Sequence, residues 1–264
     1  MSRPTPFPST HFNMKTISLT VLFLAAHVSA QFGTWPNPKS TQKVPKTIEV
    51  KAGTVFDGKM ERYVSGFADG GIEEGQPPIF LLGDGATIQN LVISYPAADG
   101  IHCNGSCKIE NVWWEDVGED AATFLGEKNA VYSVTGGGAK KGHDKVFQHN
   151  GGGTLTIKNF QGEDIGRLYR SCGNCNINGK FDRHVIIDNV KVIGPCLSLA
   201  CVNGNYGDSA TLTDVQISGA VTSICQDTQG NNVETLPPVN QLYVADQDGD
   251  GKVCNYKKTD VKKF

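Results

Sequence analysis

A short phrase recurs along the middle of this 264-residue chain: an apolar residue, any residue, a small polar residue, an apolar residue. It stands as Ile88-Gln89-Asn90-Leu91, Ile109-Glu110-Asn111-Val112 and Val131-Tyr132-Ser133-Val134. It returns as Ile157-Lys158-Asn159-Phe160, Ile187-Asp188-Asn189-Val190 and Leu212-Thr213-Asp214-Val215. The gaps between the small polar positions are 21, 22, 26, 30 and 25 residues. Each copy sits in a β-branched, alternating segment such as Thr154-Leu155-Thr156-Ile157, which is a strand signal. A sharp bend between two strands favours Asn, which tolerates left-handed backbone and can hydrogen-bond to it. Short strands repeating at this period predict stacked coils, an all-β parallel β-helix. A β-sandwich also has short strands, but it gives no reason for Asn at a fixed point of each period. The 31 glycines, roughly 12% of the chain against a usual ~7%, argue against a helical fold.

Stacking places residues at equal offsets from the repeat mark on one face, about 4.8 Å apart per coil. Asp99 is nine residues after Asn90, and Asp120, with Glu119 beside it, is nine after Asn111. Asp144 and Lys145 follow Ser133 by eleven and twelve; Arg167 and Arg170 follow Asn159 by eight and eleven. One face is therefore expected to carry carboxylates on two coils, then a lysine, then two arginines. The offsets after Ser133 are looser than the rest.

Clustered carboxylates repel unless a cation or proton lies among them, and hard oxygen donors suit Ca²⁺. Calcium and arginines would neutralise the carboxylate of an acidic substrate. A lysine among those cations is expected to have a lowered pKa and to act as a base. That set fits proton abstraction at C5 of a uronic-acid ring, followed by β-elimination of the oxygen at C4. The acids and Lys145 also have a plainer reading, as a solvated acidic strip with ordinary surface ion pairs. His102, His143, His149 and His184 come with no metalloprotease or hydrolase motif and read as structural or solvent-facing.

Residues 17–30 form one apolar run, preceded by Lys15 and ending Val28-Ser29-Ala30. The run is shorter than the ~20 residues a membrane span needs, and it reads as a secretory signal peptide cut after Ala30. Residues 1–30 are thus expected to be an upstream extension and signal peptide, with Met14 a candidate true start. Residues 31–264 are expected to be one catalytic β-helix domain with an irregular tail from about 226. Removing residues 1–30 takes away Arg3 and Lys15 and no acid, leaving 22 basic and 27 acidic residues, a net charge of -5. No long basic block marks a nucleic-acid surface, and no second apolar run marks a membrane anchor. A secreted monomer is expected. In an oxidising compartment Cys103, Cys107, Cys172, Cys175, Cys196, Cys201, Cys225 and Cys254 are candidates for a disulfide framework, whose pairing the sequence does not select. Asn104-Gly105-Ser106 is a glycosylation sequon between two of them.

The stretches Ala98-Asp99-Gly100-Ile101-His102-Cys103 and Asn111-Val112-Trp113-Trp114-Glu115-Asp116-Val117-Gly118-Glu119-Asp120-Ala121 carry a family likeness. So do Asp144-Lys145-Val146-Phe147-Gln148 and Leu168-Tyr169-Arg170-Ser171-Cys172-Gly173-Asn174-Cys175. From about Val44 to about Val215 the chain resembles the secreted pectate lyases of polysaccharide lyase family 3. The resemblance implies a right-handed parallel β-helix and calcium-dependent β-elimination of polygalacturonate, the pectin backbone of plant cell walls. It places Asp99, Glu119 and Asp120 at the calcium-binding positions, Lys145 at the base and Arg170 at the substrate-holding arginine. Glu74 matches an acid near the substrate cleft.

Two positions depart from that pattern. Arg167 stands where the family often has lysine, and Leu125 where many members carry lysine, which removes a charged substrate contact. Leu125 keeps open a non-catalytic pectate-binding or host-recognition β-helix. A polygalacturonase is a third reading, but glycoside hydrolysis uses paired carboxyl groups and no lysine base. Near the C-terminus Asp246-Gln247-Asp248-Gly249-Asp250-Gly251 opens like an EF-hand loop, yet Lys257 stands where a bidentate Glu is expected. An acidic turn is the favoured reading there.

Overall fold

The computed structural model describes residues 1–2, 32–68 and 70–264. The expected signal segment therefore lies outside the described residues. The chain winds into a parallel β-helix. Strand Ala86–Ile93 pairs in parallel with Cys107–Trp114, and Gly138–His149 with Gly153–Ser171. Gly153–Ser171 pairs in turn with Arg183–Ile193 and Cys196–Val202. Parallel pairs need crossover connections, and here each crossover is the remainder of a coil.

The bends show why the repeat contains asparagine. Asn90, Asn111, Asn159, Asn189 and Asp214 all have φ between 49° and 53° or at 55°. These residue types enter the left-handed region at small cost. The asparagines also stack: Asn111 Nδ2 donates to Asn90 Oδ1 at 2.9 Å, and Asn189 Nδ2 to Asn159 Oδ1 at 2.8 Å. Ser133 differs from the expectation. It lies within strand Val131–Thr135, and the bend in that coil falls on Gly136 and Gly137, with φ of 69° and 86°. The register pairs Glu110 with Thr135 and Lys158 with Thr135, so Gly136 takes the place between Asn111 and Asn159. Counted from Gly136, Lys145 is nine residues on, as Asp99 is from Asn90 and Asp120 from Asn111. The loose offsets after Ser133 were a misplaced mark. The remaining one-residue difference at Arg167 is a bulge, where Gly142 to Lys145 faces Ile165 to Arg167.

Inside the coils an aromatic stack fills the core. Phe147 lies 5.1 Å from Phe160 and Phe124 4.9 Å from Tyr132, ring centre to ring centre, and all four are fully buried. Outside, Trp35 of the N-terminal arm packs on Trp113 at 4.9 Å. The segment after 226, expected to be irregular, is partly ordered by pairing: Val239–Tyr243 runs antiparallel to Val221–Thr228, and Cys254–Asn255 and Val261–Lys263 join Ser209–Ser218 in parallel. No helix among the described residues is long and apolar enough to cross a membrane.

Six of the eight cysteines are bridged, as Cys103–Cys107, Cys172–Cys175 and Cys225–Cys254. The expectation of an eight-cysteine framework is corrected at Cys196 and Cys201, which are free and buried. They lie five residues apart on one extended strand, Cys196–Val202, a span of roughly 16 Å that no disulfide reaches. Asn104 is exposed in the loop closed by Cys103–Cys107.

Candidate active site

One sheet of the solenoid carries the candidate residues. Its strands include Ile101–Cys103, Ala122–Phe124 and the ends of Gly138–His149 and Gly153–Ser171. Ile101 is in register with Ala122, and Ala122 with Phe147, so Asp99, Asp120 and Lys145, each two residues earlier, form one row across three coils. Lys145 is in register with Arg167, which extends the row to a fourth. Glu119 and Asp144 stand one residue back from Asp120 and Lys145. The sequence thus brings together Asp99, Glu119, Asp120, Lys145, Arg167 and Arg170 as expected.

Asp99, Glu119 and Asp120 are all buried, and each offers a carboxylate oxygen within 4.8 Å of the others. Asp99 Oδ1 is shut from solvent and has no hydrogen-bond partner among the described residues. Burial pushes the Glu119 carboxyl up to about 7 despite the opposing pull of Lys145. Burial likewise raises Asp120 well above the usual carboxylate range, with Lys145 opposing and Glu119 and Asp99 adding to the rise. Three buried acids with an orphaned oxygen and only hard donors fit a divalent cation such as calcium.

Lys145 fills the middle of this group. Its ammonium lies 2.8 Å from Glu119, 3.2 Å from Asp144, 3.3 Å from Asp120 and 3.7 Å from Glu74. Burial pulls its pKa down, but Asp120, Glu119 and Asp144 outweigh burial and hold it above the ordinary lysine value. In the protein alone the nearest charges are carboxylates; the lowered pKa expected for this lysine belongs to the state with a cation bound beside it. Asp144 shows the reverse balance: burial raises it, yet Lys145, Arg167 and Arg170 together hold it low. Arg167 Nη1 donates to Asp144 Oδ1 at 2.7 Å, while Arg170 stands 3.9 Å from Asp144 Oδ2. Glu74 is largely exposed on the 70–76 loop. That loop is tied by Gln76, which accepts from the Gly70 N–H and donates to the Gly71 carbonyl.

A second row lies three residues after the first, and of its members only Arg170 was read as functional in the sequence. It runs His102, Thr123, Gln148 and Arg170 in register. His102 Nε2 lies 2.7 Å from Asp99 Oδ2, which ties this histidine to the acid cluster. Gln148 Nε2 donates to Asn150 Oδ1 at 2.8 Å, leaving Gln148 Oε1 buried and without a hydrogen-bond partner among the described residues. The signal was the three-residue offset from each charged residue. His149, by contrast, is wholly buried between Tyr169 and the Gly152 carbonyl and belongs to the core. Leu125 follows Phe124 at the end of this sheet and is partly exposed.

The EF-hand-like turn holds no comparable cluster. Asp246 pairs with Lys263, Asp248 with Lys257 and the Lys258 N–H, and Asp250 caps the N–H groups of Lys252, Val253 and Cys254. Its three carboxylates face different partners.

Residues 32–235 match the family model described as pectate lyase. The chain belongs to the pectate lyase family. It is 40% identical over 229 residues to "Probable pectate lyase D" of Emericella nidulans, covering 84% of this chain and 83% of that protein. It is 39% identical over 225 residues to "Pectate lyase H" of the same organism, covering 84% and 82%. Among solved structures it resembles pectate lyase PelI from Erwinia chrysanthemi in complex with tetragalacturonic acid, with a TM-score of 0.70 and 31% identity. That match covers 84% of this chain and 71% of that one. Pectate lyase Pel3 from Pectobacterium carotovorum matches with a TM-score of 0.71 and 32% identity, over the same shares.

Proposed function

We propose that this pectate lyase cleaves polygalacturonate by β-elimination, with calcium as its cofactor. The observation that carries the reading is the row Asp99, Asp120, Lys145, Arg167, with Glu119 beside it: an acid cluster for the cation, a base and a guanidinium on consecutive coils. Asp99, Glu119 and Asp120 would hold the calcium. Bound there, calcium would offset the carboxylates that hold the Lys145 proton and would draw electron density from the C6 carboxylate of the substrate. Arg170 and Arg167 hold that carboxylate, and a guanidinium suits it because its donors form a planar fork. Lys145 Nζ takes the C5 proton. The C5–H electron pair becomes the C4–C5 double bond as the C4–O bond breaks, and the glycosidic oxygen leaves as an alcohol after taking a proton from solvent water. Glu74, largely exposed and 3.7 Å from the Lys145 ammonium, flanks the bound chain.

The reading explains how a mildly acidic chain handles a polyanion: charge is reversed locally, at one row of the solenoid. We further propose that the protein is exported through the apolar segment at residues 17–30, in keeping with three disulfides, and acts as a monomer. The N-terminal sequence of secreted protein is then expected to begin at Gln31.

Incubation with polygalacturonate and calcium tests the function. Unsaturated uronides absorbing in the ultraviolet are expected. New reducing ends without that absorbance would point to hydrolysis, and binding of pectate without turnover would leave only a recognition module. Chelation is expected to abolish product formation.

A further inference from the structure

We propose that His102, with Thr123 as its counterpart one coil on, is a positioning residue that fixes the acid cluster for calcium. The inference rests on calcium being the cofactor.

The two coils use the same local device. Asp99 is followed three residues later by His102, and Asp120 three residues later by Thr123, and His102 and Thr123 are in register. His102 Nε2 donates to Asp99 Oδ2 at 2.7 Å, and Thr123 Oγ1 to Asp120 Oδ2 at a looser 3.4 Å. In both carboxylates it is therefore Oδ2 that is engaged. The opposite oxygens, Asp99 Oδ1 and Asp120 Oδ1, are both buried and without a hydrogen-bond partner among the described residues. Asp120 Oδ1 has only the Lys145 ammonium, 3.3 Å away and outside hydrogen-bond geometry.

A carboxylate rotates about χ2, a broad two-fold torsion, so without such a tether neither aspartate has a fixed lone-pair direction. Holding Oδ2 settles which oxygen is offered and removes that freedom before the metal arrives. Donors behind metal ligands act in this way, and their loss typically weakens metal binding 10- to 100-fold. The period of the solenoid explains why the device is doubled. Any donor three residues beyond one acid lies one strand spacing from the donor beyond the next.

Calorimetric titration of the purified protein with calcium alone, without substrate and at one fixed pH, tests the idea. His102→Ala and Thr123→Val remove the donors, while His102→Gln and Thr123→Ser keep one. The alanine and valine variants are expected to raise the calcium Kd about tenfold or more, and the glutamine and serine variants to stay within about threefold of the parent. Far-ultraviolet circular dichroism and melting in chelator check that each variant is folded. If His102→Ala does not fold, the Thr123 pair carries the test. Parent-like Kd values in folded His102→Ala and Thr123→Val would overturn the proposal. So would glutamine and serine variants as weak as alanine and valine, because packing would then be the cause. A parent protein that binds no calcium would sink the cofactor reading itself, and this inference with it.

Discussion

Lys145 stands opposite Arg167 in the register of adjacent coils, yet its ammonium contacts Glu119, 2.8 Å away on the coil before. The base proposed for elimination is thus an ion-pair partner in the protein alone, and a cation that offsets the carboxylates around it would ease loss of its proton. Base and metal site are one electrostatic unit.

Replacing Lys145 by Ala is therefore expected to do two separable things. Turnover of polygalacturonate, followed as ultraviolet absorbance, falls about 10²- to 10⁴-fold, the usual contribution of a general base. Calcium binding survives or tightens, because the ammonium no longer competes for Glu119 and Asp120. A variant that kept its activity would remove Lys145 from the mechanism.

Calcium affinity is expected to depend on pH with a definite sign. The Glu119 carboxyl, pushed up to about 7 mainly by burial, is protonated below that pH and cannot ligate a metal. Binding must expel that proton, and the raised Asp120 carboxyl acts in the same sense, so the calcium Kd should rise as pH falls below 7. Titrations from pH 5.5 to 8.5 measure this, and a flat Kd across the range would contradict it.

Much of this arrangement was legible in the residues. The asparagine bends and the nine-residue offset of Asp99 and Asp120 place two coils correctly without coordinates. Ser133 misled because it satisfies the local phrase, while the true bend at Gly136-Gly137 uses residues that reach left-handed backbone by having no Cβ. The His102 contact was missed for a different reason: its three-residue offset from Asp99 recurs between Asp120 and Thr123, but the offset does not disclose the 2.7 Å tether between Nε2 and Oδ2. The Lys145 pKa in the protein alone is not legible from spacing, because spacing gives neighbours and not distances, and Glu119, Asp144 and Asp120 lie within 3.3 Å of its ammonium.

The cysteine pattern has a direct chemical check. Titration of thiols in denatured, unreduced protein is expected to count two per chain, from Cys196 and Cys201, and none in the native state, where both are buried. A count of zero after denaturation would restore the eight-cysteine framework.

The asparagine bends can be tested at Asn111, which has φ of 51°, donates to Asn90 and accepts from Trp113 Nε1 at 2.8 Å. Asn111→Val forces a β-branched residue into the left-handed region, at a cost of about 1–2 kcal/mol beyond the lost hydrogen bonds. Asn111→Gly keeps the backbone and loses only the side-chain bonds. Urea denaturation should rank parent, then glycine, then valine; equal stability of the two variants would show that the bend carries no strain.

His149 sets an acid limit on the fold. Burial holds its imidazole at about 3, far below the usual 6.5, so the folded protein keeps it neutral where the unfolded chain protonates it. A depressed folded pKa gives stability that is complete above about 6.5 and is lost as pH falls toward 3, with a slope of about 1.4 kcal/mol per pH unit from this one group. Glu119 and Asp120 are raised and act in the opposite sense, so the parent curve alone does not isolate the histidine. His149→Gln keeps polar atoms for Tyr169 and the Gly152 carbonyl but cannot titrate. Its urea midpoint relative to the parent should therefore improve steadily from pH 7 to pH 4.5. Parallel pH profiles for the two proteins would show that His149 accepts no proton on unfolding in this range.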